Sequence, residues 1–346
     1  MSARRTLLVC PGRGSYGRDA LGQLAGRSSA ASAVIAKCDA WRGAAGSPTV
    51  SELDAADRFS PRLHVAGEHA SLLTFACSLA DLADLDRERF EVVGVTGNSM
   101  GWYTALAAAG ALTLDDAIRL VDTMGAYQER NVIGGQILTP LVDATWAVDP
   151  AAEAAIERSI ASGRQAGHTI EWSIRLGGFA VLGADVGGAK HLLATLPSDV
   201  RGPRTFPVQL PLHSAFHTSL MRGASERAWA ELRLDFRAPD VPLFDGRGHT
   251  YAPRWANPGE LAEYTLGAQV TETYDFSRAV IAGLHHTGAD AIVVLGPGNS
   301  LGAPIAQTLV ADHWGGVADK AGFSARQADR ATLLSFGVPH QRATLV

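Results

Sequence analysis

Val92-Val93-Gly94-Val95-Thr96-Gly97-Asn98-Ser99-Met100-Gly101 is a short β-branched run that breaks on a glycine-bracketed serine, and an Ala/Leu-rich stretch at 104–109 follows it. A run this short, bounded by glycine, reads as a buried strand, and the stretch after it as a helix. Gly97 and Gly101 permit a sharp turn between the two. Such a turn lifts the Ser99 hydroxyl off the end of a sheet and sets it at a helix N-terminus, where free N–H groups face an anion. The Met100 N–H is placed to be one of them.

Three more runs end in the same way. They are Leu7-Leu8-Val9-Cys10 before Pro11-Gly12, Val241-Pro242-Leu243-Phe244 before Asp245-Gly246, and Ala291-Ile292-Val293-Val294-Leu295 before Gly296. Helical patterns lie between them at 72–82 and 114–127. Strands alternating with helices argue an α/β core with a mostly parallel sheet. The stretch from about Gly135 to Leu210 is different. It reads as strand, helix, strand-turn-strand, helix, strand, with helices near 150–162 and 186–196 and strands at 169–174, 179–182 and 205–210. That order fits a small α+β subdomain inserted into the larger one. The expected division is 1–134 with 211–346 for the large domain and 135–210 for the insert. The tail after His313 is polar and Ala-rich and carries no assignable element.

Composition narrows the classes. The 346 residues are 47% apolar and 19% charged, enough for a sizeable core, with a net charge of −5. That balance, without a Lys/Arg cluster interleaved with aromatics, excludes a nucleic-acid groove. Cys10, Cys38 and Cys77 show no metal or redox spacing and fit a reducing compartment. The apolar start at residues 6–10 is stopped by Pro11-Gly12, too early for a signal peptide, and no run reaches the roughly 18 apolar residues of a membrane span. The expectation is a cytoplasmic protein with no metal, membrane or nucleic-acid partner.

A serine hydroxyl becomes a nucleophile only with a base in hydrogen-bond reach. The Gly-Asn-Ser-x-Gly pattern occurs again at Gly298-Asn299-Ser300-Leu301-Gly302. Ser99 has several histidines downstream, whereas Ser300 has only His313 and His340, so chain order favours Ser99. The base candidate is His217, in Leu212-His213-Ser214-Ala215-Phe216-His217-Thr218-Ser219-Leu220-Met221, where the insert ends and the large domain resumes. His213, His285 and His286 are its rivals. The first loop, Pro11-Gly12-Arg13-Gly14-Ser15, lacks the lysine of a phosphate-binding loop. Its glycines let a backbone N–H approach an oxyanion, and Arg13 N–H is the second donor.

Together these motifs resemble malonyl-CoA:acyl-carrier-protein transacylases and the acyltransferase domains of polyketide synthases. The resemblance runs over about residues 6 to 310. It rests on the Pro11–Ser15 loop, the 97–128 segment with Tyr103-Thr104-Ala105-Leu106 and Ala109-Gly110-Ala111-Leu112, the His217 segment, Gln269, and Gly296-Pro297-Gly298. It implies a hydrolase-like large domain with a ferredoxin-like insert and no bound cofactor. It further implies ping-pong chemistry through an acyl-serine, with CoA and phosphopantetheine thioesters as substrates and an acyl carrier protein as partner in fatty acid or polyketide biosynthesis. His217 would deprotonate Ser99, oriented by a carbonyl near Gln269 in place of an aspartate.

Departures from the family pattern concentrate on the acyl pocket. Malonyl enzymes of the family carry an arginine for the substrate carboxylate one helix past the serine, and this chain has Met124 there. Losing that partner while still desolvating a carboxylate costs about 3–5 kcal/mol. Arg119 and Arg130 do not share the Met124 helix face. His69 stands for the family's glutamine, Arg175 for asparagine, Asn98 for the histidine before the serine and Trp102 for an acidic residue. Arg13 and Tyr16 stand for glutamines. These swaps point to transfer of a non-malonyl acyl group. Arg175 serving a malonyl carboxylate, an acyl-carrier-protein hydrolase of the same fold, and a catalytically weak carrier-protein docking module are the alternatives. Arg164, Arg201 and Arg204 flank the insert as candidates for meeting an acidic carrier protein.

Overall fold

In the computed structural model the described residues are 2–130 and 132–346, with 128–130 described by backbone alone. The strands in chain order are β1 (Arg4–Cys10), β2 (Phe90–Gly97), β3 (Gly135–Pro140), β4 (Ile170–Leu176), β5 (Phe179–Ala184), β6 (Asp199–Arg201) and β7 (Arg204–Phe206). They continue with β8 (Val208–Gln209), β9 (Leu243–Phe244), β10 (Thr250–Tyr251), β11 (Tyr274–Asp275), β12 (Ala291–Val294) and β13 (Leu333–Ser335).

The first sheet has the order β10-β9-β2-β1-β12-β13, parallel except for the β10 hairpin strand. Helices cover both faces, so its central strand is apolar without alternation: Leu7, Leu8, Val9 and Cys10 are all fully buried. The neighbours β1 and β2 end side by side, pairing Cys10 with Gly97. Their carboxyl ends therefore deliver the Arg13 loop and the Ser99 turn to one place, where open α/β sheets bind ligands.

The second sheet has the order β11-β4-β5-β3-β8. Strands β3, β4, β5 and β8 pair antiparallel, and the helices Pro150–Gln165 and Val186–Thr195 lie on them around a separate apolar cluster that includes Ile137, Ile160, Ile170, Leu182 and Leu192. This is the ferredoxin-like β-α-β-β-α-β order. The sheet does not stop at residue 210, because β11, from the large domain, adds to β4 in parallel.

Two expectations change. The strand at 205–210 is two short strands, with β7 on β6 and β8 on β3, because Pro207 between them has no N–H to give a ladder. The tail after His313 is structured: the helix Lys320–Asp329 leads into β13, which extends the first sheet beside β12, and the helix Pro339–Leu345 buries Leu345. Polar surfaces on those helices hid the short buried strand between them. No described helix is long and apolar enough to cross a membrane.

Candidate active site

Ser99 leaves β2 with φ of 54°, a left-handed conformation that non-glycine residues rarely adopt. Its two flanking glycines are required by contact rather than by φ. A Cβ on Gly97 would lie 2.2 Å from the Gly101 carbonyl oxygen, and one on Gly101 would lie 2.1 Å from that of Cys10. The turn is pressed onto β1, and the helix Gly101–Ala108 starts directly behind it.

His217 also has a left-handed backbone, with φ of 62°. Its N–H donates to the Val270 carbonyl at 2.9 Å, and its Nδ1–H donates to the Gln269 carbonyl at 2.5 Å. Because Nδ1 carries the proton, Nε2 is the acceptor, and it lies 2.7 Å from Ser99 Oγ. The Gln269 carbonyl is free for this role because it sits in the last turn of a helix. That helix runs from Pro258 through a π-helical segment, Tyr264–Ala268, to Thr271. The negative end of the helix dipole thus faces the imidazole, where it favours an imidazolium as it forms. Burial holds the His217 pKa down to about 4, the Gln269 carbonyl pulling weakly the other way, so the ring is a neutral base at pH 7.

Neither the Arg13 N–H nor the Met100 N–H has an acceptor among the described residues, and both residues line the cavity that holds Ser99. Arg13 is anchored by its guanidinium, which donates to the Leu212 carbonyl at 2.8 Å and the Val65 carbonyl at 3.2 Å. Two side chains without a role assigned from sequence complete the support. Tyr103 Oη donates to Gln269 Oε1 at 2.8 Å, and Gln269 Nε2 donates to the Ser99 carbonyl at 3.0 Å, tying nucleophile and base elements together. Tyr274 Oη donates to the Gly97 carbonyl at 2.5 Å, and its ring centroid lies 5.4 Å from that of His217. Tyr103 stands inside the nucleophile-helix motif, but only its packing against Gln269 reveals its task.

The rivals fall away on geometry. Ser300 is exposed, and its Oγ lies 2.5 Å from Ser15 Oγ at the cavity rim, with no histidine bonded to it. His213 lines the rim, where its Nδ1 meets the Pro211 carbonyl, and burial together with the Arg13 guanidinium depresses its pKa. His285 pairs with Asp312 at 2.8 Å on the exposed face of its helix. His286 packs edge-on to Phe244 with centroids 5.6 Å apart.

The cavity measures about 300 Å³. Met124 lies in its wall, 2% exposed, with Leu138, Ile174, Leu176, Val181 and Phe216. Asn98 and Gln269 line it as well. Three expected pocket residues do not. Arg175 is exposed: Ile174 and Leu176 point into the cavity, and alternation along β4 sends the residue between them out, where its guanidinium lies 4.3 Å over the Trp172 ring. His69 is held by Arg42 Nη2 at 2.6 Å on Nδ1 and by Glu68 at 3.0 Å on Nε2, on the helix face away from the cavity. Trp102 is fully buried behind the nucleophile helix and donates to Thr265 Oγ1 at 3.0 Å. Of the rejected arginines, Arg119 pairs with Asp116 away from the cavity, and the Arg130 side chain lies outside the described residues.

A serine on a strand-to-helix elbow, a neutral histidine behind it and two free backbone donors define the class of serine enzymes that work through a covalent acyl intermediate. The comparisons with known proteins narrow that class. The malonyl-CoA:acyl-carrier-protein transacylase of Escherichia coli O157:H7 is 30% identical over 163 residues, 43% of this chain and 46% of that protein, so the match spans less than half of the relative's length. The crystal structure of malonyl-CoA:acyl carrier protein transacylase from Xanthomonas oryzae superposes over 99% of this chain and 98% of its own, with a TM-score of 0.72 at 20% identity. An acyl-carrier-protein S-malonyltransferase from Burkholderia pseudomallei covers 99% of both chains, with a TM-score of 0.73 at 18% identity. No family model matches the chain. The chain has the malonyl-CoA:acyl-carrier-protein transacylase fold, and the resemblance read from its motifs extends to the whole architecture.

Proposed function

We propose that the protein is an acyltransferase of this family that moves a neutral, non-malonyl acyl group to the phosphopantetheine thiol of an acyl carrier protein through an acyl-Ser99 intermediate. His217 Nε2 takes the Ser99 proton as Oγ attacks the thioester carbonyl. The oxyanion lies between the Met100 and Arg13 N–H groups. Collapse of the tetrahedral intermediate expels the first thiol, which leaves with the proton from His217. The carrier's thiol then gives its proton to His217 and attacks the acyl-serine, and the second collapse restores Ser99. Neither CoA nor phosphopantetheine is a resident cofactor in this scheme; both are substrates.

The observation that carries the acyl-group reading is Met124 in the cavity wall, at the position where the family's malonyl enzymes have arginine. No other cation takes its place inside. The Arg13 guanidinium is committed to two carbonyls, Arg175 faces solvent, and Arg204 lines only the exposed mouth. A desolvated malonyl carboxylate would therefore lack the bidentate partner that offsets its burial. The relatives named above are malonyl transferases, and transfer of malonyl with Arg204 at the mouth as its partner is the second reading.

Intact-protein mass spectrometry with a panel of acyl-CoAs tests both. The wild type is expected to acylate faster from a neutral donor than from malonyl-CoA, and Met124→Arg to shift the ratio toward malonyl. Ser99→Ala abolishes the adduct and Ser300→Ala retains it. Faster labelling of the wild type by malonyl-CoA refutes the neutral-acyl reading. Release of the adduct by water as fast as by carrier protein makes the enzyme a hydrolase of the same fold.

A further inference from the structure

Two oxygen atoms in the acyl cavity have no hydrogen-bond partner. Ser71 is 1% exposed and Asn98 is 8% exposed; both line the cavity, and Ser71 Oγ and Asn98 Oδ1 are buried and unpaired among the described residues. Buried polar atoms are nearly always paired, so two on the wall of one cavity call for a ligand. The Ser71 hydroxyl has an ordinary outlet that it does not use. A buried helical serine commonly bonds back to the carbonyl four residues earlier, as Ser78 does to Thr74 on the same helix at 2.9 Å. The room at Ser71 exists because residue 125 has no side chain: a Cβ on Gly125 would lie 2.9 Å from Ser71 Oγ. Two other unpaired hydroxyls, Thr74 and Thr104, do not reach the cavity.

We infer that the transferred acyl chain carries a hydroxyl, read by Ser71 and Asn98. The inference rests on the neutral-acyl reading above and names its substrate class. Asn98 Oδ1 only accepts, so it asks for a donor; Ser71 Oγ–H both donates and accepts. A plain alkyl chain suits Met124 and the aliphatic walls but leaves both oxygens unpaired. A keto group accepts only and leaves Asn98 Oδ1 bare. A carboxylate faces that same oxygen with like charge, and an ammonium is buried with no carboxylate in the lining. A hydroxyl donates to Asn98 and accepts from Ser71. Asn98 adjoins the nucleophile, so a hydroxyl on one of the first carbons past the thioester carbonyl is the one it meets.

The test is time-resolved acylation of the wild type by butyryl-CoA, 2-hydroxybutyryl-CoA, 3-hydroxybutyryl-CoA and malonyl-CoA, read by intact mass. One of the hydroxylated donors is expected to react on the order of tenfold faster than butyryl-CoA. Ser71→Ala and Asn98→Ala should each pull that ratio toward one, a change of selectivity that a purely structural role would not produce. Equal rates for the hydroxylated and plain donors, or a ratio that both variants leave intact, overturns the hydroxyl inference and leaves neutral-acyl transfer standing. Labelling fastest from malonyl-CoA, or by none of the four, overturns both.

Discussion

At the residue scale the site turns on one tautomer. The Gln269 carbonyl accepts the Nδ1 proton, so His217 presents a bare Nε2 to Ser99 without an aspartate behind it. A carbonyl brings no full charge, and burial therefore dominates and leaves the ring with a pKa of about 4. Two consequences share one sign. The base works only when neutral, so kcat/KM for acylation should fall on the acid side near pH 4, rather than near the ordinary histidine value of about 6.5. The unfolded chain binds this proton between those two values and the folded chain does not. Stability from the buried neutral ring is thus complete above about pH 6.5 and lost as pH falls toward 4. A pH–rate profile with its acid limb near 6.5 would contradict the buried-base description. Tyr103 and Tyr274 are the other residue-scale devices, since they brace the carbonyl and the turn that the pair depends on.

At the element scale the decisive feature is how closely β1, β2 and the nucleophile helix approach one another. Gly101 sits where a Cβ would enter the Cys10 carbonyl, and backbone on both sides leaves nothing flexible to yield. Gly101→Ala is expected to destabilise by about 3 kcal/mol and to remove acylation, because the turn must lift off β1. Gly223, in the helix Arg222–Glu231, has nothing within 4 Å of its Cβ position. Gly223→Ala should leave stability unchanged or raise it by up to about 1 kcal/mol, since alanine is the better helix former. Thermal melts of the two variants check this, and a wild-type melting temperature in Gly101→Ala would show that the contact is not binding. The second element-scale device is β4. A register shift between Trp172 and Ile174 turns Trp172 toward Arg175's side while Ile174 joins the main core.

At the scale of the whole molecule a chain of net charge −5 has to meet an acidic carrier protein. The cavity lining contains Arg13, Arg204 and His213 and no carboxylate, so the mouth is locally positive. Of the three arginines proposed for docking, Arg201 is occupied by Asp199 at 2.8 Å, Arg164 donates to the Ile170 carbonyl at 2.9 Å, and Arg204 is exposed at the mouth. Reversing all three charges should slow transfer to a carrier protein several-fold at low salt and flatten its salt dependence, with Arg204→Glu responsible for most of the effect. Transfer rates and salt slopes equal to wild type would remove the docking idea.

Local and periodic features were legible in the sequence. The β-branched runs, the helical spacing and the glycines that bracket Ser99 all act within a few residues of themselves, so the parallel core, the serine elbow and the α+β insert could be read directly. The Met124 position followed from its register on one helix. Packing decided which way the remaining candidates faced. His69 was claimed by Arg42, from a helix 27 residues earlier. Arg175 was turned outward by strand alternation, and Trp102 was drawn into the core by Thr265 and Tyr264. The Ser71 and Asn98 oxygens could be recognised as unpaired only once every possible partner had a position. A residue's chemistry is carried by its own atoms, but its partners are set by how distant elements pack, and no spacing along the chain encodes that.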